Sequence, residues 1–290
     1  MRSLIFNVLF YAMTLSYAAF LCTIGPFSGS KSVRAVLRTH ANATIWLTRN
    51  ILNAKVEIRG IERFAEGRGP QLIVCKHQSE LDPFLLFQDY PEVAAIAMEE
   101  LSRYPLLGPV IRKLGYILVS VEGARRQQLR DVVVGAKRVA EEGRPILIYP
   151  EGELMRVGSR QRYKTGVFHI YEATGYEVTP VALCSGLVWP KREWTKRAGQ
   201  TAVMAYLDPI PPGLDKDTFM AEIERRIEEG TMALIREFGE PDIVAVAEER
   251  YAKGLTNDDS VTVADLEARA VADDRPGDDA EKRSQSDAAA

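Results

Sequence analysis

The chain has 290 residues, 27% charged and 46% hydrophobic, enough for one large α/β domain with appendages. The formal net charge of −3 hides a split: residues 255–290 carry ten Asp/Glu against four Lys/Arg, while the first 68 carry nine Lys/Arg against three Glu. A basic end beside an apolar segment suits an anionic membrane surface, and the lack of zinc spacing or aromatic-basic patterning argues against a nucleic-acid partner.

No charged residue lies between Arg2 and Lys31. Residues 1–30 therefore read as a membrane helix, apolar from Leu4 to Ile24 and ended by Gly25-Pro26. Its length and the missing small-x-small cleavage site argue against a signal peptide. Lys31, Arg34 and Arg38 outweigh Arg2, which places the C-terminal side in the cytoplasm. Asn7, Thr14 and Ser16 dilute the segment, so a dip into one leaflet stays open beside a full span. Residues 31–53 read as an amphipathic helix.

Residues 54–240 then alternate strand and helix. Strands are expected at 55–59, 71–76, 93–98, 115–121, 146–149, 177–184 and 201–207. Helices are expected at 83–89, 100–114 (broken by Pro105 and Gly108), 125–142, 166–174 and 217–238. Short apolar β-branched runs separated by helical patterns point to an α/β fold, a mixed, largely parallel sheet with flanking helices. Residues 241–290 form a C-terminal extension. From about 255 they hold too few large apolar residues to order themselves. Cys22, Cys75 and Cys184 lie apart in apolar runs and read as reduced core thiols. No metal-ligand pattern is visible.

The chemistry concentrates at Lys76-His77-Gln78-Ser79-Glu80-Leu81-Asp82, which follows the apolar run 71–75. A histidine thus closes a strand, and Asp82-Pro83 opens a helix, with Asp82 suited to an N-cap. For one ring nitrogen to take a proton from a hydroxyl, the other needs an acceptor to hold it; Asp82 is placed to be that acceptor. A second polar site, Pro150-Glu151-Gly152-Glu153, follows the apolar run 146–149. Ligands of α/β sheets gather where such strands end.

In this order and spacing, KHQSELD and YPEGE resemble the His-x-x-x-x-Asp and Phe-Pro-Glu-Gly blocks of the glycerolipid acyltransferase superfamily, whose type member is lysophosphatidate acyltransferase. Gly115-Tyr116-Ile117-Leu118-Val119 and Val178-Thr179-Pro180-Val181-Ala182 resemble its second and fourth blocks. Tyr163-Lys164-x-Gly166 and Ser185-Gly186-Leu187-x-Trp189-Pro190 look like segments of bacterial members. The resemblance covers about residues 1–240. It implies a two-helix membrane motif and a lysolipid O-acyltransferase of the cell inner membrane, its catalytic domain on the cytoplasmic face. Acyl carrier protein or coenzyme A would carry the acyl thioester, a lysolipid would accept it, and no cofactor is expected. His77 and Asp82 would be catalytic, and Glu151 and Gly152 would bind the acceptor. No Gly-x-Ser-x-Gly elbow exists, so the acceptor hydroxyl itself is the expected nucleophile.

The chain also departs from the family. Met98, Val121 and Leu154 stand where cations that serve the acceptor phosphate are usual, and Glu153 adds an acid. Arg125, Arg126, Arg156 and Lys164 are the candidates to compensate. Uncompensated, the site would suit a lyso-aminolipid of the ornithine-lipid kind, its amine paired with Glu153, better than lysophosphatidate. Read as decay, the same losses point to a non-catalytic lipid-binding protein.

Overall fold

The structure, a computed structural model, describes residues 1–64, 70–104, 108–120 and 125–254. The expected acidic tail and the Val121 position lie outside the described residues.

Seven strands form one sheet: β1 (Lys55–Arg59), β2 (Leu72–Cys75), β3 (Ala94–Met98), β4 (Ile117–Val119), β5 (Ile146–Ile148), β6 (Val178–Leu183) and β7 (Thr201–Tyr206). Their order is β1-β7-β6-β2-β5-β3-β4. Every pairing is parallel except β6 with β7. β2 sits at the centre, buried on both faces. This is why its sequence is an unbroken apolar run rather than an alternating one. Ile73 and Cys75 face one core, with Leu147 and Val181. Leu72 and Val74 face the other, with Ile146 and Val178.

Helices α1 (Arg2–Thr23), α2 (Ser30–Asn50) and α3 (Asp82–Asp89) cover the first face. On the other lie α5 (Arg125–Glu141), α6 (Gly166–Thr174) and α7 (Lys216–Phe238). The short helix α4 (Gly108–Leu114) precedes β4, and a 3-10 turn at Glu99–Arg103 stands where the sequence suggested the start of a longer helix.

α1 is long and apolar enough to cross a membrane, but its first half is committed to the domain. Phe6 and Phe10 are buried, each edge-on to Trp189. Asn7 donates to the Trp194 carbonyl at 2.8 Å, and Ser3 Oγ accepts from the Lys196 amide at 2.7 Å. Leu15, Phe20 and Phe27 remain exposed.

The fold also continues beyond the expected boundary at 240. Pro241 opens α8 (Pro241–Ala252), and Ile243, Val246 and Ala247 make a buried i, i+3, i+4 stripe. Gly158, at φ +81°, lies so close that a Cβ there would sit 2.3 Å from the Ala247 Cα. Arg250 donates to the Val157 carbonyl at 3.0 Å. α8 therefore belongs to the domain and braces the loop that follows β5.

Candidate active site

β2, β5 and β6 end side by side, and the loops that leave them build the site. His77 follows β2 by two residues. Its Nδ1 lies 2.9 Å from Asp82 Oδ2. A carboxylate can only accept, so Nδ1 carries a proton, and in the neutral ring the lone pair is on Nε2. One ring face stacks on Tyr149, just past β5, with centroids 3.9 Å apart and planes 17° apart. The side chain retains 20% exposure. With Nδ1 on Asp82 and one face on Tyr149, Nε2 is the open nitrogen.

Asp82 is fully buried. It lies in the first turn of α3 but does not cap the helix as expected. Its Oδ2 turns back to accept from the Gln78 amide at 2.8 Å and the Ser79 amide at 3.0 Å, besides His77. Its Oδ1 accepts from the Ser185 hydroxyl. Ser79 Oγ in turn accepts from the Leu81 amide at 3.0 Å, which shapes the turn. The His77 carbonyl is held by the Met155 amide at 2.6 Å. Burial pushes the Tyr149 hydroxyl well above the ordinary tyrosine range, so the ring beneath His77 stays neutral.

Glu151 is not at the surface of this site. It is fully buried, its Oε1 3.0 Å from Lys76 Nζ. That ammonium is aimed at Glu228 on α7, at 2.7 and 2.9 Å, and at the Ser159 carbonyl, at 3.1 Å. The Glu151 carboxylate therefore meets the ammonium as an ion pair, with no further hydrogen-bond partner on its oxygens. Glu228 also accepts from Tyr163 at 2.8 Å. Burial pushes the Glu151 carboxyl up to about 7, with Lys76 opposing and Glu228 adding. Burial alone would lower the Lys76 ammonium, but the two carboxylates outweigh it and leave it raised.

The remaining expected residues divide. Gly152, at φ +77°, is exposed, and Lys164 Nζ lies 2.1 Å from where its Cβ would be. Glycine here both takes the left-handed conformation and leaves room for the ammonium. Glu153 is 42% exposed, with Lys191 Nζ at 4.0 Å from its Oε2. Arg156 is half-buried on the same loop. Arg126 is exposed on α5, and Arg125 opens that helix. That helix follows β4, three strands from β2 across the sheet, roughly 14 Å at the usual strand spacing. Of the positions without cations, Met98 is exposed at the end of β3 and Leu154 is half-buried beside Glu153.

In the sequence Ser185 stands out only as part of a segment resembling bacterial members, with no role attached, and neither Glu228 nor Lys191 is singled out. Glu228 carried a signal, since it falls on the stripe Phe219, Ile223, Ile227, Met232, Ile235 that α7 buries. Lone carboxylates on such a face need a partner. Among the described residues no cluster of three or more His, Cys, Asp or Glu is placed to hold a metal.

A protein-family model described as Acyltransferase matches residues 55–184, which span all four blocks. The 1-acyl-sn-glycerol-3-phosphate acyltransferase of Pseudomonas aeruginosa is 28% identical over 207 residues, 68% of this chain and 78% of that protein. That of Saccharomyces cerevisiae is 23% identical over 252 residues, 82% of this chain and 81% of that protein. In three dimensions the chain resembles the 1-acyl-sn-glycerophosphate (LPA) acyltransferase PlsC from Thermotoga maritima. The TM-score is 0.65 at 23% identity, over 81% of this chain and 98% of that one, a likeness of fold.

Proposed function

The chain is an acyltransferase of the lysophosphatidate acyltransferase-like family, and on that premise we propose that it acylates a lysolipid hydroxyl, with 1-acylglycerol-3-phosphate as the acceptor. Acyl carrier protein or coenzyme A carries the thioester donor, and no cofactor takes part. The His77–Asp82 pair, with Nε2 open, is the observation that carries this reading.

Nε2 takes the proton of the acceptor hydroxyl as its oxygen attacks the thioester carbonyl. Asp82 stabilises the imidazolium that forms. The tetrahedral adduct collapses, the C–S bond breaks, and the leaving thiolate takes the proton back from Nε2. The products are an ester and a free thiol. Lysophosphatidate is favoured over an aminolipid because the turn after β5 is not left negative. Glu151 is occupied by Lys76, Lys191 stands beside Glu153, and Lys164 lies over Gly152. The exposure of Glu153 favours a second reading, a lyso-aminolipid whose amine it would meet.

The helices α1 and α2 seat the domain on the bilayer. Because the first half of α1 is packed on protein, the rest enters one leaflet rather than spanning. The inner membrane, with the domain on its cytoplasmic face, suits the basic residues that follow α1.

Replacing His77 by Ala should lower turnover by about 10²- to 10⁴-fold with the fold intact. Unchanged turnover would remove His77 from the mechanism. Wild-type protein that binds lipid yet turns over no thioester would make it a non-catalytic member. Offering both acceptors with one donor and comparing kcat/KM separates the head groups: a clear preference for the aminolipid would overturn the lysophosphatidate reading.

A further inference from the structure

We infer that Ser185 is a positioning residue for the dyad, a third member that fixes the Asp82 carboxylate so that it meets His77 in one orientation. The inference deepens the acyl-transfer reading and rests on it for its kinetic consequences.

The geometry follows from the sheet. β6 runs parallel to β2 with Cys75 opposite Val181, and the Lys76 amide donates to the Val181 carbonyl at 3.0 Å. The first residues past both strands are therefore neighbours. Past β6 the chain makes a tight 3-10 turn at Ser185–Leu187, which brings the Ser185 side chain onto Asp82. Gly186 permits the close approach. A Cβ there would sit 2.8 Å from Val157 Cγ2 and 3.3 Å from Gln78 Oε1. The turn is locked from behind: the Ser185 carbonyl accepts from the Val188 and Trp189 amides, both at 3.0 Å, and Trp189 packs on Phe6 and Phe10 of α1.

The division of labour on Asp82 gives Ser185 its role. Oδ2 is crowded, accepting from His77 and two amides, whereas Oδ1 is met by the Ser185 hydroxyl. Ser185 is fully buried, so water does not replace it without rearrangement. Without that donor, Oδ1 is a desolvated carboxylate oxygen lacking a partner. The carboxylate then gains by turning toward any other donor, and the cost falls on the His77 contact. Ser185 touches neither substrate nor the reacting atoms; it acts through Asp82.

The test is a double-mutant cycle with Ser185→Ala and Asp82→Asn. Ser185→Ala should lower kcat by about 10- to 100-fold, as expected for losing a hydrogen bond to a charged group, with KM for donor and acceptor little changed. In the Asp82→Asn background the same substitution should cost less than threefold, because the carboxylate it serves is gone. Ser185→Thr, which keeps a hydroxyl, should recover most of the rate. Equal losses in both backgrounds, or a loss carried by KM, would overturn the role. A readout that needs no turnover keeps this separate from the acyl-transfer reading. The chain has only three histidines, so the low-field proton of His77 Nδ1–H can be identified by its absence in His77→Ala. It should be sharp in wild-type protein and broadened or lost in Ser185→Ala. If it is unchanged, the inference fails even where no acyl transfer is found. If it is lost while wild-type protein transfers no acyl group, the positioning role stands and the acyl-transfer reading fails.

Discussion

Replacing Glu151 by Gln isolates the electrostatics of the buried cluster beneath the site. In wild-type protein one cation, Lys76, faces two carboxylates, with the Tyr163 hydroxyl also on Glu228. Burial holds the Glu151 carboxyl at about 7 against an ordinary 4.5. The folded protein therefore keeps a proton that the unfolded chain gives up. A carboxyl raised in this way stabilises the fold fully below 4.5, and the contribution is lost as pH rises through 7. The gap corresponds to about 3 kcal/mol at most. For a domain of this size that is a melting shift of about 6 to 12 °C. Gln has the same shape, stays neutral throughout, and leaves Lys76 paired one-to-one with Glu228. Thermal unfolding in detergent at pH 5, 7 and 8.5 should show the variant close to wild type at pH 5. It should melt progressively higher than wild type as pH rises, with the gap levelling off above 7. A constant difference across that range, or a variant less stable at pH 8.5, would refute the reasoning. The first result would mean that Glu151 does not titrate as inferred, and the second that Lys76 stabilises its ionised form more than burial costs.

Two further perturbations follow from the geometry. Gly152→Ala forces a Cβ into the space of Lys164 Nζ at a φ of +77°. It should raise KM for lysophosphatidate several-fold in steady-state assays, with a backbone cost of about 1–2 kcal/mol read from the melting temperature. Leu15→Lys with Phe20→Lys places charges on the exposed part of α1 and leaves Phe6 and Phe10 alone. Vesicle co-flotation should fall at least about tenfold, since each charge is costly in the hydrocarbon region, while the melting temperature stays put.

Much of this fold was legible because the central strands are buried on both faces. Such strands read as short continuous apolar runs, as 72–75 and 146–148 do, and 178–183 departs only at Thr179, whose buried hydroxyl donates to Gln71. The His77–Asp82 pairing was legible because five residues of chain span it. What the sequence did not disclose depends on pairing across the sheet. Ser185 reaches Asp82 only because β6 lies beside β2 in this register. Glu151 looks like a ligand-facing acid until α7 brings Glu228 and shows that Lys76 points inward. Asp82 before Pro83 has the form of a helix cap. The amides of Gln78 and Ser79 take its carboxylate instead, because the turn they make points both at it. The helix α8 was missed because its apolar stripe is brief and follows the Gly239–Pro241 break.

These features bear on one requirement, that His77 not wander. A base must meet its proton within a few tenths of an ångström, and a histidine on a free loop would spend most of its time elsewhere. Here the backbone around it is used almost completely. The Lys76 amide goes to β6, the His77 carbonyl to Met155, and the Gln78 and Ser79 amides to Asp82. The Lys76 side chain runs inward to α7, opposite to the ring that follows it. The loop from β5 that contributes Tyr149 and Met155 is itself braced by α8 through Gly158 and Arg250. Two C-terminal helices remote from the dyad in sequence thereby hold its geometry. Substitutions on the inner faces of α7 and α8 should consequently reach the chemistry through the placement of His77 rather than through substrate contact.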